Sequence, residues 1–139
     1  MAGSAMTFEY DDGSDRRGRP CNVCKVIVAW TSDDTTGAVS GTTEKIVGKL
    51  LKAITDPGAT APTDNYDIAI TDSEGVDVLA GCASTLANRD TANTEEVYFV
   101  YTDAALQPSP VVVCDPLTIS ITNAGNSKVG QLILFYSPL

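Results

Sequence analysis

From Lys25 onward the apolar positions recur with the rhythm of β-strands. The run Lys25–Val26–Ile27–Val28–Ala29–Trp30 is β-branched and leads into residues 31–41, whose Thr, Ser, Asp and Gly suit a loop. Residues 65–71 alternate and set Tyr66, Ile68 and Ile70 on one face. Asp72–Ser73–Glu74–Gly75 then supplies a turn in which Gly75 can take a positive φ, and residues 76–79 return as the second arm of a hairpin. A second hairpin is predicted between residues 117–121 and 131–136 through Asn123–Ala124–Gly125–Asn126. Residues 97–101 and 111–113 read as further strands; Pro108 and Pro110 break the chain before the latter, and Pro116 starts the next strand.

Residues 43–55 carry two periods at once. Ile46, Val47, Leu50, Leu51 and Ile54 fall on one helical face and Thr43 could cap it, yet Gly48 weakens a helix interior by about 0.5–1 kcal/mol relative to Ala. The even spacing of strands on either side favours a strand, ended by Asp56–Pro57–Gly58. Residues 81–95, rich in Ala, Thr and Asn, read as an irregular excursion with room for a helical turn at 83–87. The chain is therefore all-β: an antiparallel β-sandwich or small barrel of about seven or eight strands.

The first residues break this rhythm. Gly, Ser, Asp and Arg dominate, and only Met6, Phe8 and Tyr10 offer anchors; Glu9, Asp11, Asp12 and Asp15 come first, then Arg16, Arg17 and Arg19. Such a segment buries too little surface to offset its ordering entropy alone. Residues 1–24 are thus read as an extended N-terminal arm that orders on a neighbouring subunit, and residues 25–139 as the sandwich domain. Phe8, Tyr10, Arg16, Arg17 and Arg19 are its partner-binding candidates, since arginine makes fixed bidentate contacts with carboxylates.

Composition narrows the chemistry. At 139 residues the chain is one domain, and nine Lys plus Arg against eighteen Asp plus Glu give a net charge of −9, which argues against a nucleic-acid partner. There is no histidine, which removes Ser-His-Asp and Cys-His catalysis and histidine metal sites. No run approaches the ~20 apolar residues of a spanning helix, and the start lacks a signal-peptide core, so no membrane partner is expected and the chain is expected to remain in the cytoplasm that makes it or to enter something assembled there.

Cys21, Cys24, Cys82 and Cys114 leave three readings open. Cys21–Asn22–Val23–Cys24 has C-x-x-C spacing, but a second close pair is missing, so a Cys₄ zinc site would have to be assembled by the fold. Disulfides need an oxidising compartment, and free thiols acting as small buried hydrophobes are the plainest reading. Asp64, Asp67, Asp72, Glu74, Asp77 and Asp90 cluster along the chain, but Asp67 and Asp77 alternate outward as on a solvated face. An enzyme would need two of Asp67, Asp72, Asp77 and Asp90 to converge in a pocket; no catalytic residue is assigned. A sugar-binding sandwich would instead expose Trp30 or tyrosines along a groove, whereas a purely structural subunit would bury them.

The run Ile54–Thr55–Asp56–Pro57–Gly58–Ala59–Thr60–Ala61–Pro62–Thr63–Asp64–Asn65–Tyr66–Asp67–Ile68, continuing to Leu79, resembles small virion proteins of tailed bacteriophages. The resemblance continues through Asn88–Arg89–Asp90–Thr91–Ala92–Asn93 and Asn123–Ala124–Gly125–Asn126. It implies a non-enzymatic capsid decoration (cement) protein, made in the host cytoplasm and bound to the capsid exterior, with no cofactor. Its implied partners are the major capsid protein and copies of itself, as a homotrimer. A head–tail connector or tail subunit, and a sugar-binding sandwich for cell-surface attachment, remain the alternatives.

Overall fold

The computed structural model describes residues 3–12, 17, 22–79, 86, 89, 93–99, 101–102 and 108–138. Among them every regular element is a strand: β1 (Ala5–Asp11), β2 (Cys24–Thr31), β3 (Val39–Pro57), β4 (Asp67–Thr71), β5 (Glu95–Tyr98), β6 (Tyr101–Thr102), β7 (Pro108–Ser109), β8 (Val111–Thr122) and β9 (Val129–Pro138). Seven of them form one antiparallel sheet in the order β1-β2-β9-β3-β8-β4, with β5 also on β3, while β6 and β7 pair separately. The sheet stays open, with β1 and β4 at its two ends.

The 19-residue β3 gives this sheet its sandwich-like form. Its first part, to Leu50, lies beside β8; its last part, from Gly48, lies beside β9 and pairs β5 from Lys52 to Thr55. Register shifts between Thr42 and Lys45 and between Leu50 and Lys52 insert extra residues, which bend a strand and let it pass from one layer to another. One layer holds β1, β2, β9, the end of β3 and β5; the other holds the start of β3, β8 and β4. Both contribute to one core, in which Val26, Val28, Leu132 and Leu134 meet Leu50, Ile68, Ile70, Ile119 and Ile121. Trp30 of β2 touches Tyr66, just before β4, with ring centroids 5.7 Å apart. Residues 43–55 thus lie within a strand: Ile46, Leu50, Ala53 and Thr55 are buried between more exposed neighbours.

The first bend has its own chemistry. Pro116 of β8 lies opposite Lys45, beside the extra residues, where a missing N–H costs the ladder least. The next donor, the buried Leu117 N–H, bonds the Thr43 hydroxyl at 3.0 Å, and that hydroxyl donates to the Glu44 carbonyl at 2.7 Å. Thr43 therefore fills the gap that the bulge opens in the ladder. Pro116 consequently lies inside one continuous strand rather than starting a new one.

Of the two predicted hairpins one forms and one does not. The hairpin across residues 72–75 forms: Asp72 Oδ1 accepts from the Glu74 and Val76 N–H groups, Gly75 has φ +81°, and Val78 N–H bonds the Ile70 carbonyl. The second hairpin does not, because β3 lies between β8 and β9. Residues 123–128 carry the chain past β3, with Asn123, Gly125 and Ser127 all at positive φ. They are held by Ser32, whose hydroxyl donates to the Gly125 carbonyl at 2.6 Å and accepts from Lys128 N–H at 2.8 Å. A turn-rich tetrapeptide signals a reversal but not which strand it reaches.

The segment read as an arm also differs in its first half. Residues 5–11 are β1, paired with β2 from Ala5↔Thr31 to Asp11↔Lys25. Met6 and Phe8 are half-buried against the core, and they lie over Gly41 of β3, where a Cβ would come within 2.8 Å of Met6 Sδ. Alternation of Met6, Phe8 and Tyr10 with Thr7 and Glu9 carries this strand; the Gly, Ser and Arg around it hid that period. Cys24, placed in the arm, begins β2 and is buried.

Replacing Thr43 by Val should lower stability by about 1–3 kcal/mol, since the buried Leu117 N–H loses its acceptor. Urea unfolding should show an earlier midpoint at unchanged slope; an unshifted midpoint would mean the bulge does not depend on the hydroxyl.

Candidate docking surface

Directly opposed residues on neighbouring strands share a face, so the registers define rows across the outward side of the first layer. The middle row is Glu9–Ile27–Ile133–Ile54–Glu96. Beside it runs Asp11–Lys25–Phe135–Lys52–Tyr98, and on its other side Thr7–Ala29–Gln131–Asp56. Three isoleucines and Phe135 are thus half-exposed on a face where an alternating sandwich strand would place polar side chains. Tyr98, at 59% exposure, extends the apolar strip toward the edge.

Lys52 organises the aromatic end of the strip. Its ammonium pairs with the Glu96 carboxylate and lies 4.9 Å from the Phe135 ring centroid and 5.6 Å from that of Tyr98. The Tyr98 hydroxyl donates to the same carboxylate at 3.3 Å. The hydrogen bond from Lys52 holds Glu96 below the usual carboxylate range, and the bond to Glu96 raises Lys52. At the other end, small side chains leave a depression of about 500 Å³ lined by Thr7, Ala29, Asp56, Gly58 and Gln131.

A second depression, of about 420 Å³, gathers Glu9, Asp11, Asp12 and Glu44 around Tyr10 and Tyr136. Glu44 reaches it because its N–H, freed at the bulge, donates to the Tyr10 hydroxyl at 2.7 Å. Burial, and then Cys24, raise the Tyr136 phenol. Among the described residues no three acidic or thiol groups lie close enough to hold a metal ion.

The other sequence candidates separate. Trp30 borders the first depression but is only 2% exposed, and Tyr66 is fully buried; Tyr10 and Tyr98 are the exposed tyrosines among the described residues. Asp67 accepts from Asn123 Nδ2 at 2.8 Å, Asp72 caps its turn, and Asp77 accepts from Leu79 N–H at 2.9 Å, so each is used locally. Asp90 lies outside the described residues. Cys24 is a buried free thiol donating to the Asp12 carbonyl, and Cys114 is a free thiol on the exposed face of β8, so these two do not come together. Cys21 and Cys82 lie outside the described residues. Arg17 is exposed, Phe8 is half-buried against its own core, and Arg16 and Arg19 lie outside the described residues.

The isoleucine row did have a sequence signal. Val26–Ile27–Val28–Ala29 and Leu132–Ile133–Leu134–Phe135 are unbroken apolar runs, the pattern of strands covered on both faces. The phrases that carry the family resemblance serve the fold: Arg89 N–H donates to the Tyr66 carbonyl at 2.7 Å, Asn65 N–H donates to the Arg89 carbonyl at 3.1 Å, and the Arg89 guanidinium lies 3.7 Å from Glu95.

No protein-family model matches the chain, and no curated protein does. Two of the solved structures similar to it illustrate the likeness. One is the family 11 carbohydrate-binding module of the cellulosomal cellulase Lic26A-Cel5E of Clostridium thermocellum, at 14% identity over 100% of this chain and 85% of that one, with a TM-score of 0.33. The other comes from Bacillus endospore appendages, described as disulfide-linked pili, at 16% identity over 100% and 96% of the two chains, with a TM-score of 0.33. Neither overlap is close enough to carry an argument about what this chain does.

Two measurements check the surface. As the only tryptophan, Trp30 should emit at short wavelength and resist iodide quenching, and added soluble glycans should not change its emission. Strong iodide quenching would mean that the indole is exposed after all. In an NMR titration the Glu96 carboxylate should titrate below the ordinary glutamate range, and Lys52→Met should return it upward. The sign follows from the pairing: a depressed folded pKa gives stability that is present above the unfolded value, near 4.3, and lost as pH falls through the folded value.

Proposed function

We propose that the chain is a non-enzymatic structural subunit of a tailed-phage virion, decorating the capsid exterior and docking through the outward face of its first layer. The observation that carries this is the row Ile27–Ile133–Ile54, a continuous apolar strip across three strands, rimmed at both ends by glutamates. An apolar centre inside a polar rim is the anatomy of a protein interface. The resemblance of residues 54–79 to small virion proteins supplies the kind of assembly, and the net charge of −9 suits an outer shell face, away from packed phosphate.

Trp30 and Tyr66 are buried, so a sugar-binding reading would have to rest on Tyr10 and Tyr136 at the acidic depression rather than on those two rings. The local uses of Asp67, Asp72 and Asp77 weigh against an enzymatic reading built on them.

The purified chain should co-sediment saturably with undecorated phage heads and image at regular external positions. Ile133→Glu should weaken that binding at least tenfold while leaving Trp30 emission and the unfolding midpoint close to those of the parent chain. Binding to tails or connectors alone would move the subunit elsewhere in the virion. A folded Ile133→Glu chain that binds heads normally would exclude this face as the docking site.

A further inference from the structure

We infer that β1 is an exchangeable strand: when copies assemble, the free edge of β2 in one chain accepts residues 5–11 of a second copy in the register it otherwise gives its own. The partner is thus another copy of this chain, and the surface is the β2 edge together with the patch around Gly41 and Glu44.

Three observations lead there. First, β1 is the terminal member of the sheet and makes ladder bonds to β2 alone, so it can leave without breaking any other pairing. Second, residues 12–23, twelve in number, join β1 to β2, whereas an antiparallel pair needs a loop of only about two to five. Twelve residues can extend to about 40 Å, enough to reach a neighbouring domain. Third, β1 is thinly attached: of its seven side chains only Met6 and Phe8 are half-buried, and the rest are exposed. β2, by contrast, has every alternate side chain buried from Cys24 to Trp30. Strands with so few buried contacts open at low free-energy cost.

The contacts that hold β1 to β2 and β3 among the described residues can also be made between chains. Its register with β2, the seating of Met6 and Phe8 over Gly41, and the Glu44 N–H bond to Tyr10 all involve β2 or β3. None needs residues 12–23 to belong to the same copy. Cis and trans forms then differ mainly in linker entropy and in the concentration of neighbours. A short covalent tether presents its own strand at an effective concentration on the order of millimolar. Dilute chains should therefore keep β1 at home, and a lattice that crowds copies should exchange it. This holds whatever the copies are assembled into, so it stands apart from the virion reading.

The opposed, outward-facing pair Thr7↔Ala29 provides the test. The full chain carrying Thr7→Cys and Ala29→Cys is mixed in equal parts as ¹⁵N-labelled and unlabelled protein. It is held dilute or concentrated, then oxidised, digested and read by mass spectrometry for the peptide pair bridging positions 7 and 29. In dilute monomer the bridges should join peptides of one isotope only. In the concentrated, oligomeric fraction about half should join a labelled to an unlabelled peptide, the statistical share for random pairing of copies. Same-isotope bridges alone at every concentration, or a chain that stays monomeric up to millimolar, would overturn the inference. Each single-cysteine variant controls for the native cysteines, and Ala5→Cys with Thr31→Cys, the next outward pair, repeats the test should the first pair impair folding.

Discussion

One strand cannot lie flat in two layers, and β3 belongs to both. The whole architecture depends on where it yields. A continuous ladder would hold β8 and β9 in one twisted plane on either side of β3, leaving one face of each without a partner. The extra residues around Thr43 and Glu44, and again near Leu51, turn β3 so that the inner faces of both halves meet. The Thr43 hydroxyl makes the first bend tolerable by taking the Leu117 N–H that the ladder drops. The same bend frees the Glu44 N–H for Tyr10, linking the end of β1 to the far layer.

How much of this could be read from the chain depends on whether the information is local. The fold class was legible, because the β-branched run at Lys25–Trp30 and the alternation at 65–71 and 117–121 leave few other readings. So was the strand at 43–55, where Gly48 argued against a helix, and the turn at 72–75, where Asp72 and Gly75 have their ordinary roles. The pairing of β8 with β3 rather than β9 was not legible, since a loop of Asn, Ala, Gly and Ser fits either route. β1 escaped notice because its seven residues alternate within a segment whose composition is that of a linker. The apolar strip was written in Leu132–Phe135 and Val26–Ala29, but an unbroken apolar run reads first as core.

The surface chemistry follows from the same geometry. Rows across a sheet gather residues from distant parts of the chain, so glutamates at positions 9 and 96 come to flank isoleucines at 27, 54 and 133. Lys52, set between Phe135 and Tyr98 and paired with Glu96, keeps a cation on an apolar strip without isolating it. A strip built this way presents both greasy and charged contacts to whatever lies against it.

The passage of β3 between β8 and β9 also sets the order in which the chain can fold. Strands that are neighbours in sequence would normally zip together early as a hairpin, in microseconds. Here β8 and β9 must settle on opposite sides of a strand made some sixty residues earlier, so their first stable contacts are long-range ones. Until β9 has emerged from the ribosome, β3 keeps an open edge along Gly48–Pro57 and the first layer lacks the strand that joins β2 to β3. The nascent domain is therefore most exposed to unwanted strand pairing while that edge waits for β9.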